Sequence, residues 1–286
     1  MAGTLYLVAT PIGNMEDMTF RAVRVLKEAD LIACEDTRTS RKLLDHFEIR
    51  TPTTSYHEFN KIEKAASLLH KLEEGADIAL ITDAGTPGIS DPGEELVQMC
   101  YEDGINVTSI PGATASIVAV TSSGQKCRRF AFEAFLPKDK KNRRNVLEEM
   151  AAETRTLIVY EAPHHLKATL KELYDVLGDR SVTLCRELTK KFEEHRKTTL
   201  SEAIGYYEEN EPRGEYVLVI AGRSRKEVEA EEIARFAHLS IPEHLQIYLE
   251  EGQDKKTAMK SVAKDRGLSK RDVYSALLAA GDAEEE

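Results

Sequence analysis

The segment Thr82-Asp83-Ala84-Gly85-Thr86-Pro87-Gly88-Ile89-Ser90-Asp91-Pro92-Gly93 decides the fold of this chain. It follows an apolar run at 77–82, which predicts a buried strand, and precedes an amphipathic run at 92–102, which predicts a helix. A loop so rich in glycine and proline is shaped rather than flexible, and its backbone can approach a ligand closely. We therefore expect a ligand site here. The alternative is a wide turn in which Asp91 caps the helix and Pro92 takes its first position.

Strand and helix patterns alternate on both sides of this loop. Strands are predicted at 5–10, 31–35, 77–82 and 106–110, and helices at 19–29, 60–74 and 92–102. This alternation is typical of a parallel α/β sheet, which binds ligands in the loops beyond the carboxyl ends of its strands. Small-residue loops at 10–14 and 111–115 also follow strands, so we expect three loops to converge on one site.

A second series begins after a break near 122–125. Strands are predicted at 129–134, 156–160, 181–186 and 215–221, and helices at 140–151, 163–177 and 199–209. Beyond Gly222 only helices are predicted, at 227–237, 242–251, 255–264 and 269–280. The expected organisation is an N-terminal α/β domain at 1–122, a second α/β domain at 123–224 and a helical module at 225–286 that ends in Glu284-Glu285-Glu286.

Composition indicates a globular protein and argues against several other classes. The chain has 286 residues, of which 41% are hydrophobic and 31% charged, enough for two domains and an appendage. No apolar run reaches the roughly 18 residues of a membrane span, and no secretory signal is recognisable, so we expect a cytoplasmic location without membrane association. The four cysteines form no C-x-x-C pair and His164-His165 is a poor chelate, which predicts buried thiols and no metal.

Charge is distributed unevenly along the chain. The net charge of −11 argues against nonspecific binding to nucleic acid. Two stretches are nevertheless basic: 126–144 has eight basic and two acidic residues, and 254–271 has seven basic and two acidic residues. Such patches are typical of a selective polyanion binder, although solvated protein faces have them as well.

The end of the chain has the pattern of a helix-turn-helix. A helix at 255–264 is followed by Gly267, and Ser269 opens a second helix with Lys270 and Arg271 at its start. Basic residues in that position can contact phosphates. The alternative is a module for packing or dimerisation.

Eight short motifs, in consistent order, resemble those of the bacterial ribosomal RNA small subunit methyltransferase I family. They lie at 10–14, 35–38, 55–58, 83–93, 111–115, 160–164, 185–190 and 214–216. The resemblance extends from Leu5 to about Gly222 and implies the tetrapyrrole methylase fold, with two α/β domains and the cofactor cleft between them, followed by a small C-terminal helical module. It also implies S-adenosylmethionine as cofactor and 2′-O-methylation of a cytidine in 16S rRNA, free or in the small ribosomal subunit. A homodimer is expected because members of that superfamily commonly pair.

The resemblance further implies roles for individual residues. Cofactor contacts are expected from three loops of the first domain and from the second domain, at Pro11, Asp83, Gly85, Thr86, Pro87, Ile89, Thr114, Ala115, Ala162, Gly214, Glu215 and Tyr216. A ribose hydroxyl is a weak nucleophile, so a base or a cation that stabilises the alkoxide would help. Candidates for this catalytic role are the polar residues at strand ends, Glu35, Asp36, Arg38, His57, Glu161, Arg186 and Glu187.

Structural roles are the alternatives for these polar residues. Glu35-Asp36 could cap the following helix, Arg186-Glu187 could form an ion pair, and His57 could be an RNA or structural contact. RNA contacts are expected from the two basic stretches, at Arg128, Arg129, Lys138, Lys140, Lys141, Arg143, Arg144, Lys270 and Arg271.

Two other functions are compatible with parts of the sequence. A methylase of small tetrapyrroles would share the fold and the cofactor, but it needs neither the basic stretch 126–144 nor the helical tail. A DNA-binding regulator would use the helix-turn-helix and treat the α/β part as a ligand sensor. That hypothesis leaves unexplained why constrained loops and polar motifs crowd one edge of the first predicted sheet.

Overall fold

A computed structural model describes residues 1–282 of the chain. They form two compact units, an α/β unit of Met1–Gly222 and a helical unit that begins at Arg223. The α/β unit contains both predicted α/β domains, and the predicted boundaries at 122 and 224 stay predictions. The acidic end predicted at 284–286 lies outside the described residues.

The first half of the α/β unit is built on a parallel sheet. Its strands are β1 (Thr4–Val8), β2 (Leu31–Cys34), β3 (Thr53–Ser55), β4 (Ile78–Ile81) and β5 (Asn106–Ile110), in the order β3-β2-β4-β1-β5. Its helices are α1 (Phe20–Glu28), α2 (Thr37–His46), α3 (Lys61–Glu73), α4 (Glu94–Glu102) and α5 (Ala115–Ser122), with one 3-10 turn at Met15–Asp17. All pairings are parallel, which confirms the predicted sheet type. Strand β4 is buried at every residue, as a central parallel strand covered on both faces must be.

The second half is built on a mixed sheet. Its strands are β6 (Phe130–Phe135), β7 (Thr156–Glu161), β8 (Ser181–Arg186), β9 (Glu194–Thr199) and β10 (Tyr216–Ile220), in the order β6-β7-β10-β8-β9. Its helices are α6 (Lys140–Ala152), α7 (Pro163–Leu177) and α8 (Leu200–Glu209). Only β6 and β7 pair in parallel, whereas β10 is antiparallel to both neighbours and β9 is antiparallel to β8.

Helix α5 ties the two sheets together. Its Ala119 and Val120 are buried in one cluster with Ile158 of β7 and with Val217 and Val219 of β10. The opposite face of the second sheet, away from α5, is covered by α6, α7 and α8. Since α5 directly follows the loop after β5, the same helix fixes that loop against the second sheet.

Several elements differ from the predictions. Helix α2 and strand β3 were not predicted, and neither was α5, whose apolar residues are spread around its axis, so that it lacks the amphipathic period of a surface helix. The edge strand β9 is polar and has no apolar run that would indicate a strand. The prediction that Asp91 caps the following helix is wrong, because α4 starts at Glu94 and its capping position is Gly93. All four cysteines are free thiols, but Cys127 is exposed and not buried as expected.

The helical unit has its own small core. It comprises α9 (Arg225–Arg235), α10 (Ile241–Glu250), α11 (Lys255–Asp265) and α12 (Lys270–Asp282), around buried Leu245, Ala258, Val262, Ala263 and Val273. Arg266 connects its parts by donating to the carbonyl oxygens of Phe236 at 3.0 Å and Leu239 at 2.6 Å and to His244 Nδ1 at 3.1 Å. In the described part of the chain, no helix combines the length and the hydropathy needed to cross a bilayer.

Candidate active site

A cavity of about 310 Å³ lies in the α/β unit between the loops of the first sheet and the strand ends of the second. Its volume is at the lower end of the range for small-molecule sites. The wall from the first half is formed by Ile12, Thr82, Asp83, Ala84, Gly85, Thr86, Ile89, Ser90, Asp91, Thr114 and Ala115. The wall from the second half is formed by Phe135, Tyr160, Glu161, Ala162, Cys185, Leu188, Lys190, Glu215, Tyr216 and Val217.

Direct hydrogen bonds lock the three predicted loops together. The Thr10 amide donates to the Gly85 carbonyl at 2.8 Å, and the Gly85 amide donates to the Thr10 carbonyl at 3.2 Å. Thr86 Oγ1 lies 2.7 Å from Thr114 Oγ1 and donates to the Ala113 carbonyl at 3.2 Å. The loops after β1, β4 and β5 therefore converge on one site as expected, and their backbone is preorganised.

The structure places nine of the twelve residues predicted as cofactor contacts on the cavity wall. They are Asp83, Gly85, Thr86, Ile89, Thr114, Ala115, Ala162, Glu215 and Tyr216. Pro11 and Pro87 are buried in the loops and do not line the cavity, and Ile12 takes the place expected for Pro11. Gly214 is also outside the lining, where its missing side chain makes room for Glu187. Contact with the cofactor stays a prediction for all twelve.

Carboxylates gather at the rim near β2 and β4. Thr82 Oγ1 donates to Glu35 Oε2 at 3.4 Å, and the Asp36 amide donates to Asp83 Oδ1 at the same distance. Burial raises the pKa of Glu35, and the charges of Asp91 and Asp83 raise it further. Burial likewise raises the pKa of Asp91, with a further contribution from Asp83. Such mutual repulsion is relieved by a bound positive charge.

Asp36 and Arg38 have structural contacts at this rim. The Asp36 carboxylate accepts from the Arg38 amide at 2.8 Å and caps α2, which confirms the capping alternative for Asp36. The Arg38 side chain is 91% exposed and pairs with the same carboxylate. Neither residue lines the cavity.

Glu161 lines the cavity but has both oxygens engaged. It is 6% exposed, accepts from the Ala162 amide at 2.8 Å and accepts from Thr169 Oγ1 at 2.5 Å. Neighbouring Tyr160 accepts from the Ser116 amide at 3.0 Å, a contact that joins β7 to α5. Burial raises the pKa of Tyr160, so its hydroxyl stays protonated at neutral pH.

The remaining catalytic candidates lie outside the cavity lining. Arg186 pairs with Glu194 at 3.2 Å and donates to the Arg213 carbonyl, so the predicted Arg186-Glu187 ion pair is wrong. Glu187 pairs instead with Lys190 at 2.9 Å. His57 packs its ring against Phe59 outside the cavity lining.

The basic residues differ in their availability. Arg143 is committed to structure, because it donates to Glu172 at 2.6 Å and to Thr169 at 2.8 Å and so joins α6 to α7. Arg144 pairs with Glu148 on the helix surface. The other expected RNA contacts are exposed and form no ion pair within residues 1–282, namely Arg128, Arg129, Lys138, Lys140, Lys141, Lys270 and Arg271.

Lys190 and Asp91 are cavity residues that were not predicted as part of the site. Both lie within the quoted motifs, at 185–190 and 83–93, which is the signal that could have found them. The backbone gives a further signal. Four of the five non-glycine residues with positive φ in the described chain line or flank the cavity: Ser90, Ala134, Glu187 and Thr189. Strained backbone of this kind clusters at functional sites.

No group of three His, Cys, Asp or Glu side chains in residues 1–282 could hold a metal ion.

Known proteins share this architecture. Residues 4–204 match the family Tetrapyrrole (Corrin/Porphyrin) Methylases. Ribosomal RNA small subunit methyltransferase I of Halalkalibacterium halodurans is 51% identical over 273 residues, covering 96% of this chain and 94% of that protein. The protein of the same name from Synechocystis sp. is 49% identical, covering 95% and 96%. The solved uroporphyrin-III C-methyltransferase from Thermus thermophilus, complexed with S-adenyl homocysteine, has 20% identity, covers 77% of this chain and 97% of its own, and gives a TM-score of 0.55.

Two sheets with a cavity between them, together with the family match, define a methyltransferase of the tetrapyrrole methylase class. Within that class, the chain belongs to the ribosomal RNA small subunit methyltransferase I family. The family resemblance and the fold class that the sequence predicted are thereby confirmed.

Proposed function

We propose that the chain transfers a methyl group from S-adenosylmethionine to the 2′-hydroxyl of a cytidine in 16S rRNA of the small ribosomal subunit. The name of the relatives supports ribosomal RNA of the small subunit as the substrate class. The cytidine and its 2′-hydroxyl come from the motif resemblance in the sequence. The observation that carries the proposal is the cavity enclosed by three interlocked loops and the second sheet.

The cavity suits S-adenosylmethionine in size, polarity and charge. When bound, this cofactor supplies a methyl group on a positively charged sulfur. Carboxylates of Asp83 and Asp91 line the cavity. The pKa of Asp91 is raised by burial and, to a lesser extent, by the charge of Asp83, and a bound positive charge would offset both effects. Thr86 and Thr114 offer hydroxyls, and Ile89 offers apolar surface. We assign the cofactor to the nine predicted residues that lie on this wall.

The helical unit is suited to contact rRNA phosphates. Each acidic residue of 254–272 has an internal partner: Asp254 caps α11, Asp265 accepts from the Tyr248 hydroxyl, and Asp272 accepts from Ser269 Oγ at 2.7 Å. Arg266 is committed to the core of the unit, whereas the other six basic residues of the same stretch are exposed and form no ion pair within the described chain, namely Lys255, Lys256, Lys260, Lys264, Lys270 and Arg271. Their charge is therefore free to replace the counterions of an RNA backbone.

Two further parts of the proposal concern assembly and location. We infer a homodimer, as the superfamily resemblance implies, and a cytoplasmic location, where small ribosomal subunits would be met. Light scattering of the purified chain tests the dimer, and a monomer at working concentration refutes it.

The decisive experiment uses small ribosomal subunits that lack their modifications and radiolabelled S-adenosylmethionine. We expect label on one cytidine ribose by nuclease mapping, and Asp83→Asn should reduce both labelling and cofactor binding. Asp175→Asn, on the exposed face of α7, is the matched control and should behave as wild type. Label on a small tetrapyrrole and none on RNA would keep the fold and overturn the substrate.

The RNA surface has a separate test. The double variant Lys270→Glu and Arg271→Glu should weaken binding of 16S rRNA and make it less dependent on salt, by roughly one unit of log–log slope for each phosphate that is no longer neutralised. Binding of S-adenosylhomocysteine should not change. Unchanged RNA affinity and slope would remove these residues from the interface.

A further inference from the structure

The cavity has one cationic side chain on its wall among the described residues, Lys190, whereas four carboxylates line the same cavity, those of Asp83, Asp91, Glu161 and Glu215. It follows strand β8, in the segment that connects β8 to β9. A single cation on the wall of an acidic cavity needs an explanation, because Lys is costly to hold in one geometry and here it is held firmly.

Two carboxylates hold the Lys190 ammonium. Nζ donates to Glu187 Oε1 at 2.9 Å and to Glu215 Oε2 at 2.8 Å, and the side chain is 30% exposed. Glu187 Oε1 also accepts from the Glu215 amide at 3.0 Å, which ties the two acidic segments together. An ammonium has three N–H donors, and the described residues provide acceptors for two of them. One donor remains for a group in the cavity.

Protonation of Lys190 is secured by the same contacts. Desolvation lowers the pKa of Lys190, but the hydrogen bonds to Glu215 and Glu187 outweigh it, so the pKa lies above its usual value. Lys190 is therefore a cation at neutral pH and cannot serve as a base. Its chemical use is to stabilise negative charge or to donate a hydrogen bond.

The surrounding backbone is shaped to seat this side chain. A Cβ at Gly13 would lie 2.4 Å from Lys190 Cγ, and a Cβ at Gly214 would lie 2.4 Å from Glu187 Cγ. Glu187 and Thr189 hold left-handed φ values of 50° and 66°. Two glycines and two strained residues thus converge on the placement of one ammonium, which is more than a surface ion pair requires.

We propose that Lys190 is a catalytic residue of the methyl transfer, and this inference rests on the proposed function. Its free N–H donates a hydrogen bond to the ribose 2′-oxygen of the target nucleotide and stabilises the negative charge that develops there. Glu187 is a positioning residue that holds the ammonium. In the step, the 2′-oxygen uses its electron pair to bond the methyl carbon while the carbon–sulfur bond breaks and its pair stays on sulfur.

The proton of the hydroxyl must leave in the same step. It passes to the Glu215 carboxylate, which lies beside Lys190 on the cavity wall, and then to water, since the Glu215 side chain is 80% exposed. The products are the 2′-O-methylated ribose, a neutral thioether and one proton, which balances the reactants.

The test compares Lys190→Gln and Lys190→Arg with wild type, in rRNA methylation under saturating conditions. Lys191→Gln is the matched control, since Lys191 is exposed and lies outside the cavity lining. We expect Lys190→Gln to lower kcat about 10²- to 10³-fold, as for the loss of one oxyanion donor. KM for RNA and the Kd of S-adenosylhomocysteine by calorimetry should stay close to wild type, and the Tm should fall by only the few degrees that the lost charged contacts to Glu187 and Glu215 account for. Lys190→Arg should recover part of kcat, because it keeps charge and donors.

The pH profile adds a readout that a structural role would not change. The rate of Lys190→Gln should rise more steeply with pH than that of wild type, since the variant lacks the cation that helps to form the alkoxide. Wild-type kcat in Lys190→Gln overturns the inference. Equal losses of kcat in Lys190→Gln and Lys190→Arg, with weaker S-adenosylhomocysteine binding and an equally lowered Tm in both, also overturn the inference, because they show that Lys190 has only a structural role. If wild type itself methylates no RNA, the proposed function fails first, and that result is distinct from either.

Discussion

Replacement of Gly214 by alanine tests how the cavity wall is held. Gly214 has φ +76°, a conformation that L-residues adopt at a cost of about 1–2 kcal/mol. Its new Cβ would lie 2.4 Å from Glu187 Cγ and 2.7 Å from Glu187 Oε1. Glu187 must therefore move, and that carboxylate oxygen accepts from both Lys190 Nζ and the Glu215 amide.

The expected magnitude follows from these contacts. A side chain forced off its rotamer costs about 0.5–1.5 kcal/mol, and breaking a hydrogen bond to a charged group costs about 1.5–3 kcal/mol. With the backbone cost included, Gly214→Ala should lower the free energy of unfolding by about 5 kcal/mol. For a unit of this size, that corresponds to a Tm lower by roughly 10–20 °C.

Two other glycines separate the contributions. Gly178 has nearly the same φ, +75°, with ψ −172°, a backbone conformation that is essentially restricted to glycine. Nothing lies within 4 Å of the position that a Cβ would occupy, so Gly178→Ala should show a backbone cost alone, about 1–3 kcal/mol. Gly205 lies inside α8 with open space around it, and Gly205→Ala should stabilise the protein by up to about 1 kcal/mol. Urea unfolding of the three variants beside wild type measures all three effects. If Gly214→Ala destabilises no more than Gly178→Ala, the packing of Glu187 against Gly214 does not hold the wall, and the reasoning fails.

Three further predictions concern other contacts. Burial and the charge of Asp83 raise the pKa of Asp91 in the folded protein, so its stabilising contribution is complete below the unfolded pKa and is lost as pH rises. Asp91→Asn should therefore be more stable than wild type at neutral pH. Urea unfolding should show this difference in stability vanish below about pH 4. Thr86→Val should weaken S-adenosylhomocysteine binding by roughly tenfold in calorimetry, because it loosens two loops, whereas Thr86→Ser should bind normally. Arg143→Gln should lower the free energy of unfolding by about 1 kcal/mol, because the Arg143 guanidinium loses its contact with Glu172. The affinity for rRNA in filter binding should not change, since this guanidinium is already engaged. Weaker rRNA binding at unchanged stability would show that Arg143 contacts RNA after all.

The parallel sheet could be predicted because its strands carry their own signals. Strand β4 is apolar throughout and lies between a helix-length segment and a glycine-rich loop, so periodicity and turn chemistry agree there. The loops after β1, β4 and β5 could be predicted to meet, because parallel neighbours end at the same edge. Local sequence was sufficient wherever local preferences and the final fold coincide.

Elements that depend on tertiary surroundings could not be predicted in this way. Helix α5 packs Ala119 and Val120 against the second sheet, yet the apolar Ile117 is 47% exposed, so polar and apolar residues do not separate into two faces that would set a period. Strand β9 is polar and pairs only with β8, so it has no apolar run. Nor could spacing show that Arg143 would be held by Glu172, because an exposed and an engaged arginine look alike in a sequence.

The cavity wall shows the same limit most clearly. Sequence rules reserve left-handed backbone for glycine, yet Ser90, Ala134, Glu187 and Thr189 adopt it around the cavity. Local preference opposes these conformations, so contacts across the α/β unit must supply the free energy that maintains them. Those contacts also place Lys190, whose motif was recognised but whose position beside Gly13 arises only when the two halves meet. Places where local rules fail are expected at functional sites, and their concentration around this one cavity is an argument, independent of family resemblance, that the cavity is where the chemistry occurs.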